Sequence, residues 1–355
     1  LKLNWFVISH TGILRFCFFI ILLETTVFRK KIIYVPLLII AIALGGAHAV
    51  ANNEANQAAQ ALVDELVAKI NQNGVQVEVG EVVANPYTKD ITVNDVLITD
   101  DADRKHQIGL LTISDIELNQ AQDFIYAMDI STEDALFTVT GGDGTEQQEQ
   151  SLDEALRNLG IKEDKIGHNQ HLAYRYHPVE RQLTLNLQNQ FYNAELTEKD
   201  AAQLFSMNLH TNFSQIPDLE SQMRRLRNNE DMSAVTAEWM QTGLITAAIE
   251  FEDAGAWQPL IEQGAESAGM TTEEYKAGLK LQIQQQFSAL QALSPGLRTQ
   301  LIEASSQFID SDTPQVELDI NSKSPEGAGI FLVFMATLMS PNALENYFDI
   351  QVAAE

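Results

Sequence analysis

Three histidines lie close together in the chain, and a metal site is the first chemistry they suggest. His168, His171 and His177 fall within ten residues, and imidazole is a common ligand of zinc and copper. A β-strand would put His171 and His177 on one face, but at about 3.3 Å per residue they would lie roughly 20 Å apart. That separation is too large for one ion to be shared. We therefore interpret the three residues as solvated histidines on a strand.

Two acidic stretches have some features of calcium sites. Residues 141–144 read Gly-Gly-Asp-Gly, as in a calcium-binding repeat, but such repeats need several tandem copies and the chain has one. Asp100, Asp101 and Asp103 offer oxygen ligands, but they lack the glycine and the bidentate glutamate of a calcium loop. We interpret both stretches as polar loops and predict neither a metal nor a cofactor.

The motifs of common hydrolases are absent from the sequence. It has no Gly-x-Ser-x-Gly elbow and no His-Glu-x-x-His pair. Asp and Glu together number 49, so pairs of carboxylates occur throughout the chain and none stands out as an acid and base. We predict that the protein is not an enzyme and name no catalytic residue.

The N-terminal region has the pattern of an export signal. Arg29, Lys30 and Lys31 precede an apolar run over residues 32–44, and an Ala-x-Ala site ends at Ala49. The low-charge run also extends over about the 20 residues that a membrane-spanning helix needs. Two interpretations remain open: an uncleaved anchor, which gives a single-pass bacterial inner-membrane protein with a periplasmic C-terminal domain, or a periplasmic protein cleaved after Ala49. In both interpretations, the three basic residues stay on the cytoplasmic side of the membrane and the rest of the chain is exported.

Residues 1–26 are set apart from the fold. The chain begins with Leu1 and its first methionine is Met128, whereas Val27, which a GTG codon could encode, directly precedes the basic segment. We interpret residues 1–26 as sequence translated upstream of the true start.

The composition of the remaining chain excludes some partners. The first 49 residues hold five of the 22 Lys and Arg and one of the 49 Asp and Glu, so the other 306 residues carry a net charge of −31. Such a surface repels nucleic acid and anionic headgroups. The single cysteine, Cys17, lies in the excluded segment, so the exported part has neither a disulfide nor a Cys-ligated metal.

The hydrophobic periodicity predicts an α+β fold: an N-terminal membrane helix, then a long antiparallel β-sheet or meander with a helical subdomain. Strands are predicted over residues 108–118, 124–130 and 135–140 in the first half, among others. We divide the chain into 1–26 (upstream translation), 27–51 (signal anchor or signal peptide), 52–150 (a helix plus β-meander), 151–255 (a second β-rich segment), 256–312 (the helical subdomain) and 313–355 (strand, helix, strand).

Helix signals are clearest in the second half of the chain. A capping box of Thr271 and Glu274 starts one helix, and Ser294 followed by Pro295 starts the next. Residues 328–339 are almost wholly apolar but too few to cross a bilayer. We predict a buried helix there, with a membrane-touching helix as the alternative.

Two parts of the sequence are similar to a known group. A membrane segment and a helix precede VQVEVGEVVANPYTKDITVNDVLI (residues 75–98) and IGLLTISDIEL (residues 108–118). This order resembles membrane-anchored bacterial envelope proteins of the YdgA-like and AsmA-like kind, as does the strand with a helical insert over residues 244–283. The resemblance implies a periplasmic, β-rich domain tethered to the inner membrane, without catalytic residues to carry over.

Two functions of different class follow as hypotheses. In the first, the sheet binds an apolar ligand such as a lipid acyl chain through residues like Phe205, Met207, Ile249 and Phe251; the alternative for these residues is ordinary core. In the second, the protein is an envelope scaffold that presents the helices of residues 256–309 to a protein partner. An apolar groove open to solvent would favour the first, and an exposed apolar patch on those helices would favour the second.

Overall fold

A computed structural model gives the structure of the protein. It describes residues 76–85, 90–99, 105–121, 124–138, 161, 165–196, 203–227, 238–289, 293–339 and 342–355, together with positions 60, 64, 67, 68 and 71. Those five positions are helical, in agreement with the helix predicted at the start of residues 52–150. Within the described residues, no helix has the length and apolar character needed to cross a bilayer, and the predicted membrane segment 27–51 lies outside them.

The described part of the fold is mostly antiparallel β-sheet with several helices. One sheet contains all twelve strands: β1 (Gln76–Val79), β2 (Val82–Asn85), β3 (Asp90–Thr99), β4 (Lys105–Leu118), β5 (Ile125–Thr138), β6 (Lys165–His177), β7 (Gln182–Asn193), β8 (Gln203–Ser214), β9 (Gly243–Asp253), β10 (Gln315–Ser322), β11 (Ala328–Gly329) and β12 (Phe348–Ala354). Their order across the sheet is β1-β3-β4-β5-β6-β7-β8-β9-β10-β12, while β2 pairs with β3 and β11 with β9. The predicted antiparallel meander is confirmed.

Among the described residues that follow the first strand, six helices with defined bounds connect or cover the strands. They are α1 (Leu219–Arg227), α2 (Trp257–Ala268), α3 (Thr272–Ala289), α4 (Pro295–Asp310), α5 (Ile330–Met339) and α6 (Leu344–Tyr347). Helices α2 to α4 are the three helices predicted over residues 256–309, and both predicted caps form. The Thr271 hydroxyl accepts the Glu274 N–H, and the Ser294 hydroxyl accepts the Leu297 N–H.

Strand β5 differs from its prediction. The sequence predicts two strands, 124–130 and 135–140, but the structure has one continuous strand. Its pairing with β6 shifts register between Thr132 and Ala135, and Asp134 between them has a φ of 52°. A β-bulge absorbs an extra residue without ending the strand, and Asp tolerates the left-handed conformation better than most residues. The predicted break is therefore wrong because a polar interruption marks a bulge rather than a turn.

The two faces of the sheet differ sharply from β6 to β12. Directly paired residues share a face, and on one side the register aligns a row of aliphatic residues, here called the aliphatic row: Leu172, Leu187, Leu209, Ile249, Leu318 and Val352. On the other side the register aligns Arg175, Thr184, Asn212, Thr246, Asn321 and Asp349. The first side is the apolar face of the sheet.

Core clusters cover the two ends of this apolar face. At one end, α2 to α4 pack over strand residues such as Phe205, with Trp257, Ile261 and Ile309 nearly inaccessible. At the other end, Tyr176, Leu183 and Ile216 form a smaller cluster. The six residues of the aliphatic row all stay partly exposed. Leu172, at one end of the row, packs against a third core cluster, formed by strands β1 to β5, and the other five lie between the two clusters just described.

Candidate functional site

The candidate site is an apolar pocket on the apolar face of the sheet. It has a volume of about 610 Å³, which lies inside the roughly 300–1,000 Å³ range of small-molecule sites. Leu183 and Leu185 of β7 and Phe213 of β8 line it from the sheet. Alternation along a strand places Leu187 of the aliphatic row next to Leu185 on the same face. The pocket is therefore continuous with the partly exposed row.

The segment after β8 closes one side of the pocket. Ile216 lines the pocket and is almost fully buried. The Ile216 N–H donates to the Arg181 carbonyl, and the Arg181 guanidinium donates back to the Ile216 carbonyl at 2.8 Å. The Tyr176 hydroxyl donates to the Pro217 carbonyl at 3.3 Å. These three hydrogen bonds hold residues 216 and 217 close to the sheet and so fix the position of this wall.

The mouth of the pocket carries two large apolar residues that precede β9. Trp239 and Met240 line the pocket and are 41% and 47% exposed. The Trp239 indole N–H donates to the Gln222 side-chain carbonyl of α1 at 2.7 Å, and the Gln222 amide donates to Glu238 at 3.0 Å. Helix α1 therefore orients an exposed indole, whose polar edge is satisfied inside the protein while its ring faces the mouth.

Helix α5 forms the wall opposite, through Ile330 and Phe331. The short strand β11 docks on β9, and the Ile330 N–H donates to the Thr242 carbonyl at 2.9 Å. A side chain at Gly327, which has a φ of 83°, would contact the Ser214 hydroxyl. The turn therefore needs glycine, both for its conformation and for the close approach. It fixes the start of α5 beside the pocket.

The chemistry of the pocket wall is almost entirely hydrocarbon. Thr242 is its polar residue, and the Thr242 hydroxyl is buried without a hydrogen-bond partner among the described residues. Burial raises the pKa of Tyr174 and of Tyr176, which pack in the cluster behind Leu185, so both phenols stay neutral. None of the residues that line the pocket has an ionisable side chain. The pocket therefore suits an uncharged apolar ligand.

The three histidines do not come together as a site. His171 is 41% exposed at its side chain and lies 3.7 Å from an Asp129 oxygen, and His177 is exposed. His168 is buried, which makes the solvated interpretation wrong for this residue. It packs between the Phe137 and Phe191 rings at centroid distances of 5.5 and 4.5 Å. Burial lowers its pKa to about 4.

The four residues expected to line a ligand site are divided between the core and the open face. Phe205 is buried, and Met207 and Phe251 pack against it under the helical subdomain. Ile249 lies in the aliphatic row and stays partly exposed. The ordinary-core interpretation thus describes the three residues near the helices, whereas the open surface begins at Ile249 and extends toward the pocket.

The described residues contain no group of three or more His, Cys, Asp or Glu arranged to hold a metal ion. The acidic candidates Asp100, Asp101 and Asp103 and residues 141–144 lie outside the described residues.

The sequence analysis missed the residues at the mouth of the pocket. The apolar stretch 328–339 was predicted as a buried helix, but on α5 Ile330, Phe331, Leu332 and Met335 are exposed and Val333 is buried. That prediction is wrong because a stretch with a single polar residue, Thr337, gives no periodicity from which a solvent-facing side could be read. Trp239 and Met240, an adjacent aromatic and apolar pair in a polar context, were the signal available.

Comparison with family models matches residues 198–355 to a family described as an uncharacterized protein. This match spans β8 to β12 and all six helices, and therefore the walls of the pocket other than β7. No curated protein matches the chain.

Proposed function

We propose that the protein is a non-enzymatic, periplasmic envelope protein, tethered to the inner membrane by its N-terminal segment, that binds or shields an apolar ligand such as a lipid acyl chain. The observation that carries the ligand proposal is the apolar pocket of about 610 Å³, whose lining residue Leu185 lies next to Leu187 of the aliphatic row on the same face of the sheet. The row crosses six strands, which at about 4.8 Å per strand gives a length of roughly 24 Å. One leaflet of hydrocarbon is about 15 Å thick, so the surface is long enough for one extended acyl chain.

The competing proposal is an envelope scaffold that presents residues 256–309 to a protein partner. Within the described residues of that range, Met270 and Leu281 are the large apolar residues that are exposed. Single exposed apolar residues are normal on protein surfaces. An apolar groove open to solvent is present, whereas a broad apolar patch on these helices is not found among the described residues, and this contrast favours the ligand-binding proposal.

The direct test is native mass spectrometry with lipid extraction on protein purified from a periplasmic or envelope fraction. We expect a lipid at a stoichiometry near one per chain. A clean apo mass, together with no binding of an added fluorescent long-chain fatty acid, would contradict the proposal and direct the search toward protein partners.

A matched pair of variants locates the ligand. Leu185→Glu places a carboxylate in the pocket, whereas Thr184→Glu places one on the polar face of the same strand. We expect Leu185→Glu to weaken binding of the fluorescent fatty acid at least about tenfold, because a charge buried among apolar groups costs more than the 1.4 kcal/mol that a tenfold change represents. Thr184→Glu should bind as the parent does. If Leu185→Glu does not fold, Leu185→Trp takes its place in the binding measurement. It fills the pocket without adding a charge and should also weaken binding.

A further inference from the structure

The exposed apolar residues of the described chain are concentrated at one place. Eleven large hydrophobic residues are exposed in the described part of the protein, and six of them form the outer apolar patch, defined as Trp239, Met240, Ile330, Phe331, Leu332 and Met335. The patch is contiguous because four of its members line the same pocket. Leu332, at 64% exposure, is the most exposed member of the patch.

The patch lies on a helix that the sheet holds in place. Val333 of α5 packs with Ala328 and Phe348 in a small core, which fixes the inward side of the helix. Phe331 and Met335 are one helical turn apart and lie together on the outward side. The helix is therefore rigidly attached while its outer side is apolar, which is the opposite of the usual surface helix.

The helical part of the patch is also free of charge, while Glu238, next to Trp239, is paired with the Arg225 guanidinium at 3.3 Å. No Asp, Glu, Lys or Arg occurs from position 327 to position 344, in a chain of which 20% is charged. A surface that binds another protein normally has an apolar centre and a polar rim. The hydrocarbon of a bilayer instead excludes charge over the whole contact, and this uncharged helix matches that requirement.

We infer that the outer apolar patch rests on a lipid bilayer, with its six side chains in the interfacial hydrocarbon. Ten residues of helix give about 15 Å, so α5 lies along the surface rather than crossing it. One consequence of this inference rests on the proposed function. Contact at the patch turns the mouth of the proposed ligand pocket toward the bilayer, so that an acyl chain can enter the pocket without passing through water.

The force that drives this contact differs from the one that brings common peripheral helices to a membrane. Those helices use Lys and Arg to attract anionic lipids, whereas the patch has no cation and the protein carries a net charge of −27. Association through the patch is therefore hydrophobic. We expect it to be unchanged by salt and not to increase with the fraction of anionic lipid.

The test uses tryptophan quenching on the full chain reconstituted in phosphatidylcholine vesicles with brominated acyl chains. The sequence has three tryptophans, Trp5, Trp239 and Trp257, and a Trp5→Phe background leaves the exposed Trp239 and the buried Trp257. Bromine quenches an indole that touches it. We expect the Trp239 emission to be lost and the Trp257 emission to persist, with a Trp239→Phe variant identifying the quenched component.

Matched variants separate the bilayer contact from lipid in the pocket. Leu332→Glu/Met335→Glu changes two exposed patch residues that do not line the pocket, and Met270→Glu/Leu281→Glu changes two other exposed apolar residues, on the helical subdomain. We expect the first pair to restore Trp239 emission and the second pair to leave it quenched. Trp239 unquenched in the parent, or equally quenched in the Leu332→Glu/Met335→Glu variant, would overturn the inference, as would photo-crosslinking of α5 to a protein in place of lipid.

The two proposals can fail separately. Binding of the fluorescent fatty acid in solution tests the pocket, whereas Trp239 quenching that depends on Leu332 and Met335 tests the patch. Quenching of that kind without fatty acid binding would retain the bilayer contact and reject the ligand site.

Discussion

At the scale of single residues, His168 is a titratable group whose environment differs from the one its sequence position suggests. Its ring continues an aromatic row that runs through Phe191, Phe205 and Phe251 at centroid distances of 4.5, 4.5 and 5.8 Å. The Nε2 of His168 lies 3.0 Å from the Asn189 carbonyl oxygen. That oxygen can only accept, so Nε2 carries the proton of a neutral ring.

This burial predicts an acid sensitivity. The pKa of His168 falls from 6.5 to about 4 on folding, so between these values the unfolded chain binds a proton that the folded chain does not. Stability is therefore complete above pH 6.5 and is lost as the pH falls toward 4, by about 3 kcal/mol at most. Urea unfolding from pH 7 to pH 4 measures the slope. We expect His168→Gln to reduce it and the exposed His177→Gln to leave it unchanged; equal slopes in all three proteins would contradict the assignment.

Asp253 is a second buried polar residue, and its role is structural. Its two carboxylate oxygens accept the N–H groups of Gly255, Ala256 and Trp257, each at 3.0 Å. Burial raises its pKa, while these three hydrogen bonds act in the opposite direction. The side chain thereby satisfies the N–H of Trp257, the first residue of α2, which has no partner within the helix, and the N–H groups of the two residues before it.

Removing this carboxylate should weaken the helical subdomain. We expect Asp253→Ala to lower the free energy of unfolding by at least about 2 kcal/mol, because it removes a cap and leaves buried donors unpaired. Asp253→Asn should have a smaller effect, since an amide keeps one accepting oxygen. Thermal or urea unfolding measures both, with exposed Asp312→Ala as the control, for which a change within about 0.5 kcal/mol is expected. An Asp253→Ala protein as stable as that control would show that the cap contributes little.

At the scale of elements, helices α3 and α4 could be predicted because capping residues mark where they begin. Helix α5 has no such residue, and its burial was predicted wrongly. The caps at Thr271 and Ser294 depend on side chains that bond within a few residues, so local sequence contains all the required information. The environment of α5 depends on whether distant β-strands cover it. The sequence shows that residues 330–339 are apolar, but it does not show that part of the helix faces solvent.

Two helical glycines give a paired test of the packing of α2 against α3. A Cβ at Gly264 would lie 2.4 Å from the Tyr275 ring, whereas a Cβ at Gly278 would meet nothing within 4 Å. Alanine favours a helix over glycine by about 1 kcal/mol. We therefore expect Gly278→Ala to raise the melting temperature and Gly264→Ala to lower it, because Tyr275 must leave its position in the core. Equal stabilisation by both substitutions would show that the two helices are not in close contact at Gly264.

At the scale of the whole molecule, the antiparallel architecture was predictable because turns and alternation are local. The sequence does not reveal that one face stays partly uncovered. Phe205 and Leu209 alternate on β8 in the same way, yet the first is buried and the second is partly exposed. The difference arises because α2 to α4, from a later part of the chain, cover one end of the sheet and stop short of the aliphatic row. The pocket residues were missed for the same reason.

The order of the strands in the sheet also bears on how the protein acquires its structure. From β3 to β10, each strand pairs with the next one along the chain. A polypeptide that emerges N-terminus first, from a ribosome or a translocation pore, can therefore add each new strand to an edge that already exists. Closing a short loop costs little entropy, and low contact order favours rapid folding. Assembly can thus proceed stepwise during synthesis or export, with the pocket strands β7 and β8 added after β3 to β6 and with α5 docking near the end.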